Sequence, residues 1–254
     1  MSGSWTIVGI DCATQEERTG LARGTLDADG KVRVERVTLG TAGESAAASV
    51  CEWIRGKPRF VLAMGAPLGW PAELAAALSK HKAGAPISAA ADQLFRRRTD
   101  RTVQKVLGRT PAEVGADRVA RTAHAALGLL AQIRARAGHE VPLVWKQSAE
   151  SGVIEVNSGV TLVTRGLPSS GYKSGTAACR KARGEVLKRL SAELDVAVTH
   201  DLLLEDANLL DAMICVLAGA DFARGLCVEP EDLRAAKKEG FIWFRGTGQR
   251  ALRY

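Results

Sequence analysis

Trp5-Thr6-Ile7-Val8-Gly9-Ile10-Asp11 is a run of β-branched and apolar residues that stops at an acid, with Cys12-Ala13 following. Such a run reads as a buried strand whose last residue emerges at the end of a sheet. Downstream, residues 20–26 and 32–39 flank Asp27-Ala28-Asp29-Gly30, a turn cluster in which Gly30 can supply the positive φ of a hairpin. The first three strands are therefore expected to form an antiparallel meander. The Asp-Ala-Asp-Gly run is too short for a calcium loop, which needs more oxygen ligands and a closing glutamate. Residues 44–55 have helical composition, and 60–64 is a further short buried run closed by Gly65-Ala66-Pro67-Leu68-Gly69-Trp70-Pro71. A mainly helical insertion is expected over about residues 72–138, with helical apolar spacing at 123–133. Beyond it, 143–145 and 153–156 are candidate strands, 176–190 a basic amphipathic helix and 202–222 a largely apolar helix. Three antiparallel strands followed by alternating helices and strands predict an α/β fold, a mixed sheet with helices on both faces. We expect residues 1–254 to be a single domain.

Composition agrees with a folded globular chain: 25% charged and 46% hydrophobic residues, and no apolar stretch of the roughly 20 residues that span a bilayer. The start lacks a basic segment before its short apolar run, which predicts a strand rather than a signal peptide, and so an intracellular, cytoplasmic protein away from membranes. The five cysteines (12, 51, 179, 215, 227) are spread out, with no Cys-x-x-Cys pair, and read as packed thiols. A net charge of +7 permits an anionic partner such as DNA or RNA without requiring one. The four histidines have no neighbour at zinc-site spacing, and there is no Gly-x-Ser-x-Gly elbow, which argues against nucleophilic triads.

Three acids stand out. Asp11, rigid at a strand end, suits divalent-cation chemistry, although an aspartate there is equally a turn cap. Asp211 lies in Leu209-Leu210-Asp211-Ala212-Met213-Ile214-Cys215, where a buried charge must be paired or ligate metal; a salt bridge to an arginine is the plainer alternative. Asn208 shares its helix face one turn earlier, whereas Asp206 lies about 140° around the helix and reads as a cap or surface acid. Glu155 interrupts Val153-Ile154-Glu155-Val156: either it points toward the site or that strand has a wet face. The stretch from Gly166 to Ser174 resembles a phosphate loop with one residue too many, Tyr172, between Gly171 and Lys173. Lys173 can still meet a phosphate ahead of the helix at 176. The basic clusters 96–109 and 180–189 are solvated faces, unless both border Asp11 and form a phosphate groove.

Gly9-Ile10-Asp11, Ala66-Pro67-Leu68-Gly69 with Pro71, Arg98-Thr99-Asp100-Arg101, Ile154-Glu155-Val156, Gly171-Tyr172-Lys173 and Asp211-Ala212 occur in an order that resembles the domain-of-unknown-function family four-two-nine, DUF429. The resemblance spans nearly the whole chain. It implies a ribonuclease-H-like fold and the activity of a predicted nuclease, with acids on strand one, the central strand and a late helix holding two Mg2+ or Mn2+ ions. Asp11, Glu155 and Asp211 match the metal-holding and catalytic acids. Lys173 joins them as a catalytic cation, and Arg98, Asp100, Arg101, Tyr172 and Arg180 as substrate-binding residues. One departure matters: Gly65 stands where such proteins carry an aspartate before Ala-Pro, which weakens the second cation site unless Glu155 replaces it. Three functions follow as expectations. The first is a divalent-metal-dependent nuclease cleaving phosphodiester bonds. The second is an inactive nucleic-acid or nucleotide-binding protein on the same fold, favoured by Gly65. The third, a phosphotransferase of the actin and sugar-kinase type, is disfavoured by the short chain, which has no second copy of the core.

Overall fold

A computed structural model describes residues 4–40, 45–115 and 117–246. Its centre is one six-stranded sheet of β1 (Trp5–Asp11), β2 (Gly20–Leu26), β3 (Val32–Leu39), β4 (Phe60–Met64), β5 (Gly152–Glu155) and β6 (Leu194–Val196), ordered β5-β4-β1-β2-β3-β6. The first three strands run antiparallel, while β4 and β5 add parallel on one side and β6 parallel on the other. This mixed order is consistent with a ribonuclease-H-like fold. The β2–β3 hairpin turns at Gly30, whose φ is 82°, with the Asp27 side chain accepting from the Lys31 amide at 2.7 Å.

Ten helices are present among the described residues: α1 (Ala46–Ile54), α2 (Ala72–Leu78), α3 (Ala91–Phe95), α4 (Arg98–Leu107), α5 (Asp117–Arg136), α6 (Ser158–Val163), α7 (Ala177–Leu190), α8 (His200–Glu205), α9 (Ala207–Arg224) and α10 (Leu233–Glu239). The segment between β4 and β5 is helical over α2 to α5, as its composition predicts. Residue 44, where the sequence pattern starts the first helix, lies outside the described residues. Three expectations change. Of residues 143–145 only Leu143 is bridged to the sheet, opposite Val153. Leu194–Val196 is a strand too short for alternation to announce it. The apolar stretch 202–222 is two helices, because Asp206 adopts extended φ and ψ and its side chain accepts from the amides of Asn208 and Leu209. Replacing Asp206 with alanine removes that cap and is expected to cost about 1 kcal/mol, read as a midpoint roughly 2–4 °C lower in thermal melting.

Strand alternation divides the core. Ile7, Ala22, Val61 and Ile154 face α9 on one side; Val8, Ile10, Leu62, Met64 and Val153 face α1 and α5 on the other. Leu209 to Ala223 of α9 are all buried, with full burial of each large aliphatic side chain stabilising by about 1.5–3 kcal/mol. The approach of α9 to the sheet is set by glycines. A Cβ on Gly9 would lie 2.0 Å from the Ala212 carbonyl oxygen, and one on Gly20 would lie 2.1 Å from that of Asn208. At the far end of α9, buried Asp221 is gripped by Arg165 at 2.8 Å and Arg245 at 2.7 Å, which also hold Glu193. No helix among the described residues is long and apolar enough to cross a membrane.

Gly128, exposed within α5, has open space where a Cβ would sit. Its replacement by alanine is expected to stabilise the fold by about 0.5–1 kcal/mol, because glycine loses more backbone freedom in a helix. Urea unfolding checks it; a lower midpoint contradicts it.

Candidate active site

Because Gly9 lets α9 lie against β1, Asp211 beside Ala212 is brought to Asp11 at the end of that strand. The two carboxylates are close enough for Asp211 to act on the protonation of Asp11. Asp211, 1% exposed, accepts a hydrogen bond from the Tyr172 hydroxyl at 2.7 Å and is ion-paired to Lys173 Nζ at 2.6 Å. Burial, and then the like charge of Asp211, push Asp11 well above the usual carboxylate range, with Lys173 offsetting part of that. Burial works against the Lys173 ammonium, yet Asp211 and Asp11 hold it above its ordinary value. The Tyr172 hydroxyl is raised by burial and by Asp211, so it stays protonated and donates. The ammonium is thus paired to Asp211, while Asp11 beside it holds its proton more tightly than an ordinary carboxyl.

The donor set fits one hard cation. Mg2+ and Mn2+ take oxygen ligands, and Mg2+ is commonly bound by one or two carboxylates with water and substrate phosphate completing the shell. A two-ion centre does not fit. Gly65 offers no side chain, and a Cβ there would meet Cys215 Sγ at 3.0 Å, the Ile10 carbonyl at 3.1 Å and Asp11 Oδ1 at 3.6 Å. Among the described residues no three of histidine, cysteine, aspartate and glutamate stand together in a group able to hold a metal.

Glu155 is not brought to this pair. It shares a row with Met64 and Ile10, on the sheet face opposite Asp11, and two strand spacings amount to about 10 Å. Its oxygens lie 2.8 and 3.0 Å from the Arg97 guanidinium and accept from the Leu68 amide at 2.9 Å. Arg97 also binds Asp100 and the Glu239 carbonyl, and Arg97, Asp100 and Glu155 are all buried. Asp100 is thus a buried ion-pair partner of Arg97. Arg98 pairs with Asp232 at 2.5 Å, Arg101 donates to the carbonyls of Arg96 and Asp92, and Arg180 pairs with Glu205 at 2.7 Å. These three arginines of the two basic clusters thus already face protein acceptors. Of the sequence candidates, Asp11, Asp211, Lys173 and Tyr172 converge.

Sequence reasoning missed Arg97 and Arg183. Arg97 stands inside Arg96-Arg97-Arg98, which reads as a solvated run; its signals were the three-residue spacing to Asp100 and the need of Glu155 for a partner. Arg183, 2% exposed, has main-chain carbonyls as its hydrogen-bond partners among the described residues and left no pattern to read.

No curated protein and no solved structure matches the chain. A family model described as protein of unknown function (DUF429) matches residues 9–235, which include both carboxylates, the loop of Tyr172 and Lys173, and all six strands save the start of β1. The chain therefore belongs to the DUF429 family.

Proposed function

We propose that the protein is a divalent-metal-dependent hydrolase of phosphodiester bonds in nucleic acid, working with one Mg2+ or Mn2+ ion between Asp11 and Asp211. What supports this is the placing of Asp211, ion-paired to a single ammonium, beside Asp11 at a strand end on a protein of net charge +7. A bound cation supplies Lewis acidity and lowers the pKa of water. Asp11, half-buried at the rim, would release its proton and hold the ion together with Asp211. Asp211 is aimed by the Tyr172 hydroxyl, which fixes one of its oxygens. Lys173, its side chain 58% exposed, can turn from Asp211 to a non-bridging phosphate oxygen as a mobile point charge. The positive balance favours polyanion approach through counterion release.

A second reading, binding without cleavage, is favoured by two specific observations: Lys173 already neutralises Asp211, and Gly65 supplies no third acid. Mn2+ calorimetry together with cleavage assays on single-stranded DNA, duplex DNA and RNA separates the two. Asp11→Asn is expected to lower cleavage at least about 100-fold. Gly65→Asp combined with Cys215→Ala, which clears room for the new side chain, is expected to raise it. If neither the native chain nor the restored-acid variant cuts any substrate while nucleic acid still binds, the second reading replaces the first.

A further inference from the structure

We infer that Arg183 decides whether the Lys173 ammonium or a divalent cation occupies the Asp11–Asp211 pair, by clamping the loop that carries Lys173. The inference rests on the cation reading above and adds the control of its occupancy. Arg183 sits on α7 with its guanidinium buried, and no carboxylate stands within ion-pair distance of it among the described residues. Its donors go instead to four carbonyls: Tyr172 at 2.6 Å and Ser174 at 3.0 Å on one side, Leu204 at 2.5 Å and Glu205 at 3.5 Å on the other. The first two bracket Lys173. The second two are carbonyls in the last turn of α8, immediately before Asp206, the cap of α9.

One planar fork therefore ties the lysine loop to the start of the helix that presents Asp211. Burying a guanidinium without a counter-ion is costly unless every donor is satisfied, so its hydrogen bonds hold both segments in one geometry. Fixed in that way, the short 172–174 segment puts the Tyr172 hydroxyl and Lys173 Nζ on the two oxygens of one carboxylate. Lysine at position 183 keeps the charge but cannot span both segments with a rigid fork. Arg183 is thus a positioning residue, acting on the site only through Lys173 and Tyr172.

Two readouts test this. The first needs no metal: the rate of lysine acylation by a small N-hydroxysuccinimide ester, read peptide by peptide by mass spectrometry with exposed Lys188 as internal reference. An amine tied to a buried carboxylate must leave the pair before it reacts, so Lys173 is expected to label about tenfold more slowly than Lys188. Asp211→Asn should abolish that protection, Arg183→Gln should remove most of it, and Arg183→Lys should restore part. The second is Mn2+ calorimetry. Lys173→Ala is expected to tighten binding about tenfold by removing the competing ammonium. Arg183→Gln should tighten it in the same direction and add nothing to Lys173→Ala, since both act through one group. A melting curve guards against a folding defect, which would speed labelling of every lysine alike; Arg183→Lys then carries the test. Unchanged Lys173 protection in a folded Arg183 variant overturns the inference. Absence of Mn2+ binding in every variant instead sinks the hydrolase reading, and the labelling experiment still decides the role of Arg183.

Discussion

Arg97→Ala is expected to destabilise the protein by about 3–5 kcal/mol, the usual cost of removing one partner of a buried ion pair. The melting midpoint should fall roughly 6–20 °C. The reason is local: Arg97 is the cation that faces Glu155 and Asp100, at 1–3% side-chain exposure, and without it two acids share a pocket with no other ion-pair partner among the described residues. The penalty should also depend on pH. Burial raises the Glu155 carboxyl above its ordinary 4.5, against the pull of Arg97 and the Leu68 amide. A group raised in the folded state contributes stability that is full below its unfolded value and lost as pH rises through the folded one. Deleting Arg97 removes the larger of these two pulls and lifts Glu155 further, so the loss should be larger at pH 7 than at pH 5. Denaturant unfolding at the two pH values measures this. A loss under 1 kcal/mol, or an equal loss at both, would show that Glu155 is not held by Arg97.

Gly9→Ala should be nearly as damaging. The new methyl group would sit 2.0 Å from the Ala212 oxygen and 2.7 Å from the Val216 nitrogen, both backbone atoms of a helix that has no flexible end to yield. Overpacking typically costs 1–3 kcal/mol where side chains can adjust, and about 3 kcal/mol or more is expected here. The change also pushes Asp211 away from Asp11. Loss of Mn2+ binding should therefore accompany the lower urea midpoint, a pairing that Gly128→Ala, with open space around it, must not show.

Much of this architecture was legible because it rests on short-range pattern. The meander and β4 come from apolar runs and turn glycines, α7 from a basic amphipathic stretch, Asp11 from an acid that ends a buried run and Asp211 from one that interrupts such a run. What was hidden depends on the third dimension. Glu155 looked equivalent to the other two acids, yet parallel register puts it level with Ile10, and one residue of parity turns it to the opposite face. Asp206 was legible as a cap, but the helix break it makes was not, because apolar residues continue on both sides of it. Arg97 and Arg183 look like surface cations in sequence; only packing reveals that one is enclosed by acids and the other by carbonyls.

The grip on Asp221 has a consequence for aim. A helix greasy on every side carries no azimuth of its own, since any rotation about its axis buries nearly the same hydrocarbon. Arg165 and Arg245, by seizing a single carboxylate near one tip, act as a key in a shaft: they forbid spin, and so fix the compass bearing of Asp211 about ten residues, some 15 Å, farther along.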